Sequence, residues 1–409
     1  MKSGIQITFR TIAFLLAGIG LLPAALTPPA TPPGKPFHYS VEPAPAWTDL
    51  FNRTQGWFGA DGIFSIPLNG VKKYNNAGNQ TTLLVFSDTF TGEVKAGKPL
   101  PGFCMVNNSV ALLEGNEPNP ANLRFYVKTN ADGKPVSIFV PQTSTAARPQ
   151  FFWLGDGFVN HELGDQLTIF CYKVERTGPG AFDFITPEVA LLEIPKGSPP
   201  PFNNQRQIAT PLHVRSATIG EGNFGSGILV NTRWAGAPAH DGYVYVYGCV
   251  GANKNLVAAR VKPKVFATWS QWRYWDGAGW SEQQSDLKPL VQAVSDELSM
   301  TPLPDGRFLL VFQEMGLSDK VGLRIADSPV GPFSDIKEIW SAPEWQAGLW
   351  TYNAKAHFHL SQPGELLISY NTLKDDFWNA IQKDATIYHP RFIKLKFDRT
   401  PPAVTRSGK

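Results

Sequence analysis

Four eight-residue stretches decide how this chain is read: DGIFSIPL (61–68), DGFVNHEL (156–163), DELSMTPL (296–303) and NAKAHFHL (353–360). Each ends in Leu and opens, seven residues earlier, on an acid or amide: Asp61, Asp156, Asp296 and Asn353. A shorter copy, SGILVN (226–231), opens on Ser226. Turn residues and a second apolar run follow each copy: TTLLVFSDT (81–89), QLTIFCYK (166–173), GYVYVYGC (242–249), RFLLVFQE (307–314) and ELLISYN (365–371). Third runs are NNSVALLE (107–114), PEVALLEI (187–194), NLVAARV (255–261) and KVGLRIAD (320–327), and LRFYVK, QIATPLHV, WRYWDG and KEIWSAP supply fourth ones. Short β-branched and aromatic runs bounded by turn residues are strand signals. Five copies of a three-to-four-strand unit predict an all-β chain, a five-bladed β-propeller in a single domain. The fifth copy lacks a strand after FIKLKF (392–397), and HYSVEP (38–43) is expected to complete it and close the ring. The copies start 95, 70, 70 and 57 residues apart. A bare blade needs about 40–45 residues, so long loops remain for one face, where sites tend to sit.

Composition agrees. Of 409 residues, 43% are hydrophobic, 12% aromatic and only 17% charged, against a usual charged share of about 25%. That balance excludes a disordered chain and a coiled coil. The net charge of +3 comes without a Lys/Arg stripe, which argues against a nucleic-acid partner. Lys2 and Arg10 flank TIAFLLAGIGLL (11–22), with small residues and prolines after it. This predicts a signal peptide over 1–27, a Pro-rich linker over 28–37, the propeller over 38–400 and a tail over 401–409. The apolar run is too short for an ordinary membrane span, so a secreted or periplasmic protein with no stable membrane span is expected. Cys104, Cys171 and Cys249 match no zinc spacing and allow one disulfide with a thiol left over. GEGNFG (220–225) matches G-x-G-x-x-G, but a β-branched run follows it instead of a helix, so the dinucleotide reading is rejected. His357 and His359, two apart on an expected strand, would share a face. Hydrogen bonding and packing explain them better than a metal pair. Neither a cofactor nor a metal is expected.

The first strand of each propeller blade lines the central channel, so the register gathers Asp61, Asp156, Asp296 and Asn353 around one axis, with Ser226 as the neutral fifth. Glu297 adjoins Asp296, and strand alternation lets only one of the two point inward. A ring of acids at the base of an aromatic-rimmed pocket suits glycoside cleavage: one carboxylic acid protonates the leaving oxygen and a second activates water or attacks the anomeric carbon. Crowding of like charges raises one pKa and leaves the other group ionised. Asp61 is expected as base or nucleophile, Asp156 and Glu297 compete for the general acid, and Asp88 tunes a pKa or binds a hydroxyl. Asp-Gly is also a favoured turn pair, a structural reading that stands beside the catalytic one for Asp61 and Asp156. Trp57, Phe58, Trp153 and Trp350 precede copy starts in expected loops, and Trp57 and Trp153 are candidate sugar platforms. Asn107, Asn108, Asn353, Lys355, His357, Tyr388 and Arg391 are the further candidates for holding a polysaccharide substrate. Asp165 and Asp305 read as hairpin-turn residues. The alternative is a non-catalytic carbohydrate-binding propeller, which would use the same aromatics and need no carboxylates.

WFGADG (57–62), LVFSDT (84–89) with Gly92, NNSVALL (107–113), WLGDG (153–157) and YNAKAH (352–357) together carry a resemblance. The chain resembles a family of five-bladed propeller proteins, long catalogued as an uncharacterised domain, some of whose members are bacterial endo-D-arabinanases. The resemblance spans about residues 50–397. It implies a secreted glycan-active propeller, with furanoside polymers such as arabinan or arabinogalactan as the leading substrate class.

Overall fold

The computed structural model describes residues 38–398, apart from 75–79, 143–148, 179 and 181–182. The expected signal peptide (1–27), linker (28–37) and tail (401–409) lie outside the described residues. The chain is all-β, built from antiparallel meanders. The first sheet runs Phe64–Pro67, Thr81–Phe86, Ser109–Glu114, Leu123–Tyr126. The second runs Gln150–Asn160, Gln166–Arg176, Phe184–Ile194, Arg206–Ala209. The third is led by Gly220–Asn231, Tyr243–Val250 and Asn255–Val261, with His213–Ser216 added beside its leading strand. The fourth runs Leu298–Pro302, Phe308–Gln313, Lys320–Ala326, Lys337–Ser341. The fifth takes Trp350–Ala356, Glu365–Leu373 and Arg391–Phe397, and Tyr39–Pro43 completes it from the other end of the chain. Tyr39 lies opposite Phe397 and Pro43 opposite Ile393, the closure expected of HYSVEP.

Period-two side-chain alternation explains why the second strands are apolar throughout. Leu83 and Val85 pack toward the second sheet, whereas Leu84 and Phe86 pack toward the fifth. Val244 and Val246 face the second sheet; Tyr245 and Tyr247 face the fourth. Leu309 and Val311 pack with the fifth sheet, and Phe308, Leu310 and Phe312 with the third. Each sheet is thus buried on both faces, and exposing either face would strand a full row of large side chains.

The leading strands are interrupted at the level of the repeat register. At the edge of the first sheet the chain breaks over 61–63, between Gln55–Ala60 and Phe64–Pro67, and again over 87–88, between Thr81–Phe86 and Thr89–Lys95; Gln55–Ala60 and Thr89–Lys95 pair with each other, and Thr89–Lys95 with Lys98–Pro99 and Cys104–Val106, in a further sheet. Register shifts fall between Leu154 and Gly157, Phe224 and Gly227, and Tyr352 and Lys355. Asp156, Ser226 and Asn353 therefore sit in β-bulges, which re-aim side chains out of the regular pleat. Gly157 is required there, since a Cβ would stand 2.5 Å from the Thr168 carbonyl oxygen.

Three local expectations are corrected. Strand Trp350–Ala356 stops before His357, which caps a single 3-10 turn, Phe358–Leu360, so His357 and His359 do not share a strand face. Trp57, Phe58, Trp153 and Trp350 lie on strands, not in loops. All three cysteines are free thiols. The G-x-G-x-x-G run forms the start of strand Gly220–Asn231. Asp165 and Asp305 do sit in hairpin turns, the former at φ +59°. Among the described residues no helix is long and apolar enough to cross a membrane.

Candidate active site

A cavity of about 580 Å³ opens where the interrupted ends of the leading strands meet, and all five sheets line it. Asp61 and Asp88 come from the first, Trp153 and Tyr172 from the second, Asn223 and Ser226 from the third. Glu297 comes from the segment leading into the fourth sheet, and Trp350, Tyr352 and Asn353 from the fifth. The two gaps in the first sheet lie side by side. Asp61 N–H donates to the Asp88 carbonyl (3.3 Å) and Ser87 N–H to the Asp61 carbonyl (3.0 Å), so backbone bonds hold both acids at one level.

Each carboxyl then has its own company. Tyr352 Oη donates to Asp61 Oδ2 at 3.0 Å, and the Tyr388 hydroxyl also acts on Asp61. Asp88 Oδ1 accepts from Asn107 Nδ2 (3.0 Å) and Trp153 Nε1 (2.9 Å). Glu297 Oε1 accepts from Asn353 Nδ2 (2.9 Å), while Lys355 Nζ pairs with Oε2 at 2.5 Å. Asn353 makes this contact from φ +61°, an uncommon conformation for a non-glycine residue. A Cβ on Gly62 would stand 3.3 Å from Glu297 Oε1, so the glutamate packs against the Asp61–Gly62 turn. On the other side Gly59 admits the Tyr388 backbone: a Cβ there would lie 2.6 Å from the Tyr388 carbonyl oxygen.

Burial is the largest influence on all three acids, and it raises each. Asp61 is pushed to about 8, first by burial and then by the charges of Asp88 and Glu297. Burial also lifts Asp88, opposed by the Asn107 and Trp153 donors and by the Arg176 charge. Glu297 is lifted by burial and pulled back by Lys355. The phenols of Tyr352 and Tyr388 are driven well up by burial and then by Asp61, so both remain hydrogen-bond donors.

The expected residues divide. Asp61, Asp88, Glu297, Trp153, Asn353 and Tyr388 line the large cavity. The neighbours Asp296 and Glu297 both line the cavity; Glu297 joins the carboxyl cluster, whereas Asp296 pairs with Lys254 at 2.6 Å with two-thirds of its side chain exposed. Asn107 acts on the cavity through Asp88. Asp156 does not join the cluster: Gly157 N–H (2.7 Å) and Ile228 N–H (2.8 Å) occupy its two oxygens. With Lys355 and His357 it lines a smaller space further along the same strands. His357 bonds Ser65 Oγ and Ser369 Oγ, 2.8 Å each, and burial lowers its pKa to about 3. Trp57 is buried and stacked on Phe125 at 4.5 Å, in the core between the first and fifth sheets. Asn108 clamps the backbone of Phe139 and Phe152. Arg391 holds the 386–389 turn through carbonyl oxygens of Thr386 and His389 and pairs with Glu344. Each of these residues lies off the large cavity, engaged in packing or hydrogen bonding.

Tyr352, Tyr172, Arg176 and Trp378 line the cavity without having been singled out. Tyr352 left a signal. It precedes its register residue where the other copies carry Ala60, Gly155, Gly225 and Ser295, so one phenol stands where four small residues stand. Trp378 lies on the short helix Phe377–Ile381 in the loop after Glu365–Leu373, and nothing in the repeat marks it.

The model of a domain of unknown function, DUF5005, matches residues 45–397. The chain belongs to the DUF5005 family. No curated protein matches it. Among solved structures this DUF5005 chain is similar to a candidate hydrolase from Bacteroides ovatus, at 20% identity and TM-score 0.66, covering 87% of this chain and 90% of that one. That likeness is one of fold. An α-L-arabinofuranosidase from Podospora anserina aligns at 13% identity and TM-score 0.38, over 85% of this chain and 98% of that one. An exo-β-1,3-galactanase from Phanerochaete chrysosporium aligns at 10% and 0.41, over 83% of this chain and 64% of the other.

Proposed function

We propose that the protein is a secreted glycoside hydrolase, folded as a five-bladed β-propeller, that cuts a furanose-rich polysaccharide of the arabinan or arabinogalactan type. One observation carries the reading: three carboxyls, the buried Asp88 and the half-buried Asp61 and Glu297, share the floor of a large cavity whose walls hold Trp153, Trp350 and Trp378. The blade assignment is supported by the five successive meanders led from 64, 150, 220, 298 and 350, and by the pairing of Tyr39–Pro43 with the last of them. The furanoside assignment is supported by the resemblance carried by WFGADG and YNAKAH, and it is the part a substrate screen tests most directly.

The roles follow from charge. Burial and the neighbouring charges of Asp88 and Glu297 raise Asp61 to about 8, which favours a proton on it at neutral pH. Asp61 is therefore assigned as the general acid, in place of the base or nucleophile expected for it. Asp88 is assigned as the ionised carboxylate that activates water or attacks the anomeric carbon. Both of its side-chain donors converge on Oδ1, leaving Oδ2 for this work. Glu297, held on both oxygens by Asn353 and Lys355, supplies negative charge opposite the oxocarbenium-like centre. Tyr352 and Tyr388 orient Asp61. The test is release of reducing ends from a panel of plant and mycobacterial polysaccharides, wild type against Asp61→Asn. Hydrolysis of a furanoside polymer that the variant loses supports the reading. Binding without hydrolysis by the wild-type protein would favour a carbohydrate-binding propeller.

A further inference from the structure

The smaller space beyond the carboxyl cluster is lined by Lys72, Lys355, Asp156, His357 and His359. It measures about 50 Å³, where about 10–15 Å³ admits one water. It has room for a few water-sized groups and none for a sugar.

Donors outnumber acceptors here. Lys355, 1% exposed, meets one carboxylate oxygen, Glu297 Oε2, and an ammonium carries three N–H donors. Lys72 Nζ lies 3.4 Å from the Gly157 carbonyl oxygen and 3.8 Å from Asp156 Oδ1. Both distances exceed the roughly 2.7–2.9 Å of a charge-assisted bond. His359, 2% exposed, has its Nε2 buried without a hydrogen-bond partner. The nearby acceptors are already engaged. Backbone N–H groups occupy both Asp156 oxygens, Asn353 takes Glu297 Oε1, and serines take both His357 nitrogens. A buried donor left without an acceptor is costly, and Lys72, Lys355 and His359 bring three such donors to one small space.

We infer that this space is a binding site for one small halide-type anion, held by Lys72 Nζ, Lys355 Nζ and the N–H of His359 Nε2. The site stands on its own donors and does not rest on the glycosidase reading. It touches that reading at one point: the anion shares Lys355 with Glu297, so occupancy loosens the hold of Lys355 on that carboxylate.

The test uses crystals of the full chain grown without halide and soaked in sodium bromide. Bromide is expected as one anomalous peak within hydrogen-bond distance of Lys72 Nζ, Lys355 Nζ and His359 Nε2. In parallel, Tm is expected to rise saturably with bromide and not with sodium methanesulfonate at equal ionic strength, whose anion is too large for the space. Lys72→Met should abolish both the peak and the Tm rise; if it folds poorly, Lys72→Gln serves the same purpose. Water alone in the space, a rubidium peak there after a rubidium soak, or an equal Tm rise in both salts would overturn the inference. Neither readout involves hydrolysis, so failure of the anion site and failure of the enzymatic reading are told apart.

Discussion

Asp61 and Asp156 occupy the same position of the same repeat, and each is followed by glycine. Asp61 sits in a gap between strands, where a phenol and two other carboxyls meet it. Asp156 sits in a β-bulge of a continuous strand, and two backbone N–H groups claim its oxygens. Burial raises both acids. For Asp61 the neighbouring charges of Asp88 and Glu297 add to the rise; for Asp156 the charge of Lys72 and the two amides oppose it. One position has become a meeting point of acidic side chains and the other a strap between the second and third sheets. A carboxylate's chemistry is set by who reaches it, and the reach is set by how the backbone is interrupted.

The comparison breaks most visibly in kinetics. Asp61→Asn should lower kcat by about 10²–10⁴-fold, the usual worth of a positioned acid, with the circular dichroism spectrum unchanged. Asp156→Asn should leave kcat nearly intact, and equal losses in the two variants would erase the distinction. Stability should show the reverse order. Asn at 156 keeps one acceptor and turns an NH₂ toward the second backbone donor, so a loss of about 1–3 kcal/mol is expected in urea unfolding.

pH sharpens the same contrast. An aspartate in an unfolded chain titrates near about 3.9, and Asp61 in the folded protein near about 8. The folded state therefore binds the extra proton between those values. The stability tied to that proton is complete below the lower value and is lost as pH rises through the higher one. Tm measured from pH 5 to pH 9 should fall more steeply for wild type than for Asp61→Asn. The smallest effect is expected from Tyr352→Phe. The lost hydroxyl had been pulling the Asp61 pKa down, so the alkaline limb of kcat/KM should move to higher pH, with kcat changed only a few-fold. A limb that does not move would detach Asp61 from that limb.

The repeat register was legible because strands buried on both faces must be apolar at every position, and turn residues follow each copy. It located Asp61, Ser226 and Asn353 on the cavity, left Asp296 and Glu297 as alternatives, and could not separate Asp61 from Asp156, which is followed by the same glycine. Trp57 misled for a related reason. An indole ahead of a copy start serves as readily for core packing against Phe125 as for stacking on a sugar.

From the sequence alone follow the all-β class, the period-two alternation, the return of Tyr39–Pro43 to the last sheet and the register at which the leading strands repeat. These are local properties, written in runs of a few residues. Only the tertiary structure decided which acids meet. Tyr352 reaches Asp61 across 291 positions, and Asn353 reaches Glu297 across 56. Burial and neighbouring charge, which raise Asp61, exist only once the sheets have packed against one another.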